Sequence, residues 1–172
     1  MGLFIMDIGV TKGEKDLPWV EYIEGNEQLL DEVHILWEEL IQDHRVKSKH
    51  FTSRYDNRNF DDRKAGLIEK TKTVALRIDL VKDSDTGRGV GYCICSVSRE
   101  KIGEVDSIYI VPEYRALGIG DSLMRRALNW MDRHYTEKKV ISIAGGNEQV
   151  FSFYGRYGFY PKNTILEQAS LC

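Results

Sequence analysis

The sequence predicts an α/β fold in which a mixed, mostly antiparallel sheet is flanked by helices, and two observations lead to this prediction. Three strand-like segments follow one another between residues 73 and 111, as in an antiparallel meander. Beyond them, an amphipathic helix lies between two strand-like segments, which is the pattern of a right-handed strand–helix–strand crossover. We therefore expect one splayed parallel pair of strands beside the antiparallel part of the sheet.

The N-terminal third is predicted to contain one strand and two helices. Residues 19–25 alternate between apolar and polar side chains and end at a glycine, as a short strand does. From 26 to about 43 the apolar residues recur at helical spacing, which predicts an amphipathic helix. Residues 45–59 are polar and predicted to be irregular, and residues 60–70 fit a second short helix.

The rest of the chain alternates between strands and helices. The predicted strands are residues 73–81, 90–98, 101–111, 139–144 and one or more within 159–168. Residues 82–89 join the first two of these strands as a hairpin loop, and Pro112 ends the third. The predicted helices run from the glycines near residue 120 to about 135, and from 147 to 158.

Length, composition and charge limit the class of protein. The chain has 172 residues, 42% of them hydrophobic and 30% charged, which predicts one domain with a core from about 18 to 167. Residues 1–17 are expected to add a strand or a tail. The net charge of −3 argues against a nucleic-acid partner or a membrane surface. The cysteine usage and the lack of a signal peptide predict a cytoplasmic protein without a metal site.

The segment RALGIG, Arg115 to Gly120, joins a predicted strand to a predicted helix. The first N–H groups of a helix are unpaired and suit a phosphate, and glycines at 118 and 120 let the backbone approach one closely. The spacing matches neither a P-loop nor a dinucleotide-binding fingerprint. From these residues alone, a phosphate site and an ordinary glycine-rich turn are equally good interpretations.

Two segments together resemble the GNAT superfamily of acetyl-CoA-dependent N-acyltransferases. They are SIYIVPEYRALGIGDSLMRRAL and, about thirty residues later, NEQVFSFYGRYGF. The first resembles the family motif (R/Q)xxGx(G/A) on a strand–turn–helix, and the second resembles its Asn-x6-Tyr pattern. The matching residues are Arg115, Gly118, Gly120, Asn147 and Tyr154. The resemblance covers about residues 73–165.

The resemblance implies acetyl-CoA as cosubstrate and no metal. It implies that the backbone of one segment holds the CoA pyrophosphate; this segment is Arg115, Ala116, Leu117, Gly118, Ile119, Gly120 and Asp121. The strand residues Ile108, Tyr109 and Ile110 would pair with the pantetheine amides, and Asn147 would bond the pantetheine or cap its helix. Positions 116 and 117 often hold a glycine and a basic residue in the family, so contact with the nucleotide 3′-phosphate is expected to be weaker here.

The resemblance also suggests the groups that move protons. Tyr154 is the candidate acid for the leaving thiolate, although a packed core tyrosine is the alternative. Glu104 and Asp106 are the candidate bases, with Glu104 favoured, because alternation puts both on one face of a strand, together with Ile108. Solvated surface charges and a water chain to bulk solvent are the alternatives. His44 and His50 flank the segment that walls the acceptor site in such enzymes, and each is a weaker candidate.

The charge of residues 43–64 bears on the acceptor. This segment holds seven Lys and Arg against four Asp, so a polycationic acceptor is disfavoured if the segment lines the site. A small amine, an amino acid or a peptide amine fits better. The resemblance and these residues together predict an N-acetyltransferase. The alternatives are a non-catalytic CoA-binding or regulatory module on the same fold and a nucleotide-phosphate binder. Homodimers are common in this family, but no residue here points to one.

Overall fold

A computed structural model describes residues 19–169, which form one five-stranded sheet flanked by helices. The expected strand or tail at 1–17 and Cys172 lie outside the described residues. The strands are β1 (Val20–Gly25), β2 (Val74–Asp83), β3 (Gly89–Ser98), β4 (Ile102–Ile110) and β5 (Lys138–Ile141). The helices are α1 (Leu30–Lys47), α2 (Ser53–Asp56), α3 (Phe60–Thr71), α4 (Ile119–Arg133) and α5 (Phe151–Gly155).

The strands lie in the sheet in the order in which they occur in the chain. β1 to β4 pair antiparallel, and β5 pairs parallel with β4 after the crossover through α4. The predicted mixed sheet is therefore confirmed. Helix α1 lies on one face, where Leu36 approaches Gly89, and α4 lies on the other, where Met131 approaches Gly103.

The core lies on both faces of the sheet, and α4 shows how the sequence places it there. Its apolar residues recur every three or four positions, so they share one face of the helix. That face is buried against the sheet; its residues are Ile119, Leu123, Met124, Ala127, Trp130 and Met131. Burying each of the larger side chains contributes about 1.5–3 kcal/mol to stability.

Two N-terminal elements differ from their predicted form. Helix α1 does not end near Asp43 but continues to Lys47, where an Asp43–Lys47 ion pair of 2.9 Å spans one turn. The segment predicted to be irregular contains the single turn α2. The polar residues at the end of α1 do not show where the helix stops. The last turn of α1 packs against the loop after β5, and we attribute the extra length of the helix to this tertiary contact.

The prediction of a last strand within 159–168 is wrong. Residues 159–169 form neither strand nor helix, and Ile165 and Leu166 are each 91% exposed. Alternating apolar residues give a strand its propensity, but a strand exists only when a neighbour pairs with it. Within residues 19–169, nothing pairs with the side of β5 that faces away from β4.

A β-bulge changes which side chains of β4 share a face. Ile94 pairs with Ser107 and Cys95 pairs with Val105, so Asp106 is an extra residue without a partner on β3. Directly paired residues share a face, and Ile108 pairs with Cys93. The expectation that Ile108 lies beside the two carboxylates is therefore wrong, since the bulge reverses the alternation beyond residue 106.

The parallel pair separates in the middle of β4. Pairing runs from Ile102–Lys138 to Val105–Ile141 and stops there. The rest of β4, residues 106–110, consequently has a free edge toward β5, as the predicted splay requires. No helix in the described part of the chain has the length and apolar character needed to span a membrane.

Candidate active site

A cavity of about 710 Å³ opens where β4 and β5 separate. At one end it is lined by the loop before α4 and by α5, which we call the glycine-loop end. At the other end it is lined by His44, Arg58, Arg63 and Asp106, which we call the arginine end. The free edge of β4 runs between the two ends, so they form one continuous space.

The glycine-loop end is made mainly of backbone. Gly118 caps α4 with a φ of +90°, a conformation that favours glycine, and a Cβ there would meet no atom within 4 Å. Ala116 also has a positive φ, of 60°. The loop therefore curves around open space, and the unpaired N–H groups of the first turn of α4 suit an anion there.

Gly120 lies at a position where a larger side chain would be crowded by its neighbours. A Cβ at this position would lie 3.3 Å from the ring of Phe153 and 3.4 Å from the side chain of Ile110. Its small size thus allows α4 to pack closely on α5 and β4. The sequence interpretation assigned both glycines to a ligand, whereas the contacts of Gly120 are with the protein.

Two arginines bring positive charge to the glycine-loop end. The Arg115 guanidinium donates to the Ile110 carbonyl at 2.9 Å and lies 3.3 Å from the Asp43 carboxylate. Arg156, directly after α5, lies 3.1 Å from the Asp121 carboxylate, which also accepts a hydrogen bond from a tyrosine hydroxyl. Arg156 was not singled out by the sequence, since its position became visible only when α5 packed beside α4.

Tyr154 lines the middle of the cavity. The residue is 7% exposed, and its ring packs edge-on against Phe153 and Phe159. No hydrogen bond joins its hydroxyl to another residue in the part of the chain that the structure describes. Burial raises the pKa of Tyr154, and the nearby Cys93 raises it further, so the hydroxyl keeps its proton at neutral pH.

The side chain of Asn147 joins a network of polar contacts across the cavity. Its Oδ1 accepts from the Lys47 ammonium at 3.1 Å and from the Gln149 amide at 2.8 Å, and the side chain does not cap the following turn. Lys47 in turn pairs with Asp43, whose carboxylate also contacts Arg115. This network links α1 to the loops on both sides of the cavity.

The two candidate bases share one lysine. The Lys70 ammonium of α3 lies 2.9 Å from Glu104 and is hydrogen-bonded to Asp106. Asp106 also accepts a 2.6 Å bond from Ser96, and its side chain is 5% exposed. Burial lowers the pKa of Lys70, but the hydrogen bonds and charges of the two carboxylates outweigh burial and leave that pKa raised. Of these two residues, Asp106 lines the cavity and Glu104 does not.

The arginine end also contains one titratable imidazole. His44 lines the cavity and packs against the Tyr55 ring with 5.9 Å between ring centroids. Burial lowers the pKa of His44, the charges of Lys47 and Arg58 lower it further, and Asp43 opposes them. The other candidate, His50, is exposed and lines neither of the two large cavities among residues 19–169.

Comparison with known proteins agrees with the fold and with the family resemblance. A sequence profile of the acetyltransferase (GNAT) family matches residues 32–159, well over half of the chain. The chain belongs to the GNAT family. Two GNAT-like relatives, both named as uncharacterised N-acetyltransferases, come from Archaeoglobus fulgidus and Methanocaldococcus jannaschii. They are 36% identical over 74 residues and 24% identical over 85 residues, respectively.

The sequence matches cover only part of the chain, whereas the structural match covers most of it. The aligned segments cover 40% and 46% of this chain, and the chain spans 50% and 38% of the length of those two relatives. A solved structure of AAC(6')-Iy with the bisubstrate analogue CoA-S-monomethyl-acetylneamine superposes with a TM-score of 0.64. That match covers 89% of this chain and 99% of the other at 14% identity, so it bears on the GNAT fold alone.

Most residues that the sequence nominated line this GNAT cavity. The lining includes Asp106, Ile108, Tyr109, Ile110, Arg115, Ala116, Gly118, Gly120, Asp121, Asn147 and Tyr154. Four nominated residues do not line it: His50, Glu104, Leu117 and Ile119. The Ile119 side chain is buried in the core, so only its backbone can face a ligand. Among the described residues, no cluster of His, Cys, Asp and Glu side chains is arranged to hold a metal ion.

Proposed function

We propose that this GNAT protein is an N-acetyltransferase that transfers the acetyl group of acetyl-CoA to a primary amine by direct attack in a ternary complex. The observation that carries the proposal is the continuity of the cavity. One end offers a backbone cradle for an anion, the other offers a charged wall for an acceptor, and Tyr154 lines the same cavity.

The glycine-loop end fits the phosphates of CoA. The open space beside Gly118 and the first turn of α4 would receive the pyrophosphate, and Arg115 and Arg156 would supply positive charge. Arg156 is placed to offset the missing basic residue at position 117. The free edge of β4, residues 106–110, would pair with the amides of the pantetheine as a strand pairs with its neighbour.

Bound acetyl-CoA would supply an activated thioester, and this chain would manage the protons around it. The protonated Tyr154 Oη would donate a hydrogen bond to the thiol sulfur as negative charge develops there. A positioned acid of this kind contributes on the order of 10²–10⁴ to the rate. The acceptor amine must reach the cavity unprotonated or lose its proton there, since an ammonium has no free electron pair.

For that second proton, Asp106 is better placed than Glu104. Asp106 is among the residues that line the cavity, whereas Glu104 is not. Lys70 and Ser96 would hold the Asp106 carboxylate in position, and the amine proton would reach it directly or through water. We propose this role in place of the preference for Glu104 that the sequence resemblance suggests.

The proposal is tested by thermal unfolding with acetyl-CoA, CoA, ATP and NAD, each in large excess. A ligand at 100 times its dissociation constant stabilises the folded state by about 2.7 kcal/mol, which raises Tm by several degrees. We expect such a shift with acetyl-CoA and CoA. A shift with ATP or NAD alone would instead indicate a nucleotide-phosphate binder.

Turnover separates an enzyme from a CoA-binding module. Release of the CoA thiol in the presence of an amine panel is expected to depend on both substrates. Binding of acetyl-CoA with no amine-dependent thiol release would favour the non-catalytic alternative. A cytoplasmic location and a homodimer stay predictions, of which the first rests on cysteine usage and the second on the family resemblance.

A further inference from the structure

The charges that line the cavity are unevenly paired. All three lining carboxylates have cationic partners: Asp43 with Lys47 and Arg115, Asp106 with Lys70, and Asp121 with Arg156. Of the five lining Lys and Arg, two form no ion pair with any carboxylate of residues 19–169. These two are Arg58 and Arg63, and both belong to the arginine end.

We propose that the acceptor is a small amine that also carries a carboxylate or phosphate group, which Arg58 and Arg63 bind. This proposal rests on the acetyl transfer proposed above and specifies its acceptor class. Guanidinium groups are well suited to the task because their planar donors match both kinds of anion. The reacting amine would then lie beside Asp106, because Arg63 and Asp106 are in direct contact.

Arg63 is held where it can present its charge to the cavity. Its side chain extends from α3, is half-buried, and donates one 3.4 Å hydrogen bond to the Asp106 carbonyl. A guanidinium has five N–H donors, so this single long bond leaves most of its donors available. A half-buried charge is costly to desolvate without a counter-ion, and an anionic ligand would supply one.

Arg58 approaches the same region from the segment before α3. Its guanidinium lies 5.7 Å from the centre of the Tyr55 ring, a cation–π contact that orients it without neutralising it. Its charge also reaches His44, whose pKa it helps to lower. The neutral imidazole that results adds no positive charge of its own to repel an acceptor.

The same arrangement disfavours polycations such as polyamines and aminoglycosides. A polycation entering the arginine end would meet Arg58 and Arg63 and would find each lining carboxylate already ion-paired. Displacing Lys47 or Lys70 from its carboxylate would leave another cation without a partner. Discrimination would thus come from repulsion as much as from attraction. The similarity of fold to AAC(6')-Iy does not carry over a substrate.

The test measures binding as well as turnover, with pairs of amines that differ only in the anionic group. The pairs are the common L-amino acids with their amides, and phosphoethanolamine with ethanolamine; spermidine and kanamycin represent polycations. Calorimetry on protein saturated with CoA gives the dissociation constants, and thiol release with acetyl-CoA gives KM. We expect at least one anionic amine to bind about tenfold or more tightly than its neutral-group partner.

Substitution then assigns the effect to the two arginines. Arg63→Gln keeps an amide that can bond the Asp106 carbonyl but removes the charge, and Arg58→Gln removes the other charge. Each substitution is expected to weaken binding of the anionic amine roughly tenfold to hundredfold, because a charged hydrogen bond is lost. The affinity for CoA should not change. Arg63→Lys should restore part of the loss. Arg99→Gln, in the exposed turn before β4, is the matched control and should change nothing.

Each outcome decides between the two proposals. Equal or tighter binding of spermidine or kanamycin, or unchanged binding of the anionic amine in both arginine variants, overturns the anionic acceptor. The anionic acceptor is also overturned if CoA stabilises the protein but no anionic amine binds at millimolar concentration. In that case the proposed acetyl transfer is not contradicted. Loss of CoA stabilisation altogether would instead overturn the proposed transferase function.

Discussion

The two ends of the cavity are built from different parts of the polypeptide. The glycine-loop end is formed mainly by the backbone of one continuous segment, residues 115–121, with α5 beside it, and depends on a φ of +90° at Gly118. The arginine end is formed by side chains that come from α1, the segment before α3, α3 itself and β4. The first has a shape fixed by backbone geometry, whereas the second has a charge pattern that single substitutions can alter.

The strongest test of this contrast is a substitution that changes only backbone geometry. Gly118→Val places a β-branched residue at a strongly positive φ and is expected to weaken CoA binding about a hundredfold, because the strain distorts the cradle and the added side chain enters it. Equilibrium binding of CoA measures the loss, and unfolding measures the accompanying destabilisation.

Gly87→Val is the matched control for that strain. Gly87 has a φ of +70° in the hairpin between β2 and β3, and a Cβ there would also meet no atom within 4 Å. We expect a similar cost of about 1–2 kcal/mol in the free energy of unfolding, but CoA affinity like that of the unaltered protein. Equal CoA affinity in the two variants would contradict a cradle at Gly118.

The second largest effect concerns the residue between the two ends. Tyr154→Phe removes one hydroxyl that no described residue bonds, so the fold should be retained while kcat falls at least tenfold. CoA affinity should stay nearly the same. Tyr160→Phe, at a 76% exposed tyrosine nearby in sequence, is the control. An unchanged kcat in Tyr154→Phe would remove this residue from the proposed acid role.

The third prediction separates structure from binding at the arginine end. Lys70→Met leaves the buried Asp106 carboxylate without its counter-charge, so we expect a loss of about 1–3 kcal/mol in the free energy of unfolding, less than for a fully buried pair. Urea unfolding measures it. Combining Lys70→Met with Asp106→Asn should recover part of the loss, and simple additivity of the two would show that the pair does not interact.

Lys72→Met provides the comparison on the same helix end. Lys72 pairs with Glu69 three residues earlier, and both side chains are about two-thirds exposed, at 66% and 71%. An exposed pair of this kind contributes about 0.5 kcal/mol or less. A loss as large as that of Lys70→Met would mean that general surface charge, and not the Asp106 contact, explains both results.

The smallest expected effect is a pH dependence of stability that originates at His44. Its pKa is lowered in the folded protein by burial and by Lys47 and Arg58, so folding disfavours the protonated imidazole. The stabilising contribution of the neutral ring is complete above the unfolded pKa of about 6.5 and is lost as the pH falls through the lower, folded pKa. His44→Gln should flatten this part of the profile. Identical profiles for the two proteins would contradict the assignment.

Features formed by residues within one short continuous segment were predictable from the sequence. The loop at residues 115–121 and the Asn147–Tyr154 pair each lie within a few residues, so their spacing could be matched to the motifs of the family. The strands and the long helices follow from apolar periodicity, and all except the last predicted strand were found. The last predicted strand could form only if another strand paired with it. The strand propensity of one segment does not show whether such a partner exists.

Features that depend on distant residues were not predictable in the same way. The bulge at Asp106 appears only in the register between β3 and β4, so alternation placed Ile108 on the wrong face. The positive charge of residues 43–64 was visible, but which arginines lack partners depends on side chains from elsewhere in the chain. The ion pair of Arg156 with Asp121 could not be predicted, because the two residues are 35 positions apart. Helical or strand periodicity relates only residues that are a few positions apart.

The polar contacts from Arg115 through Asp43 and Lys47 to Asn147 have a consequence for ionic strength. They join residues that line the cavity, and the side chains of Lys47, Asp43 and Arg115 are 26%, 29% and 41% exposed. Salt weakens contacts between charges that are exposed to this degree. Added salt should therefore loosen these contacts, which favours entry of a ligand, while it also weakens the attraction of an anionic ligand to the arginines. Opposing trends of this sort give an association rate with a maximum at intermediate salt concentration.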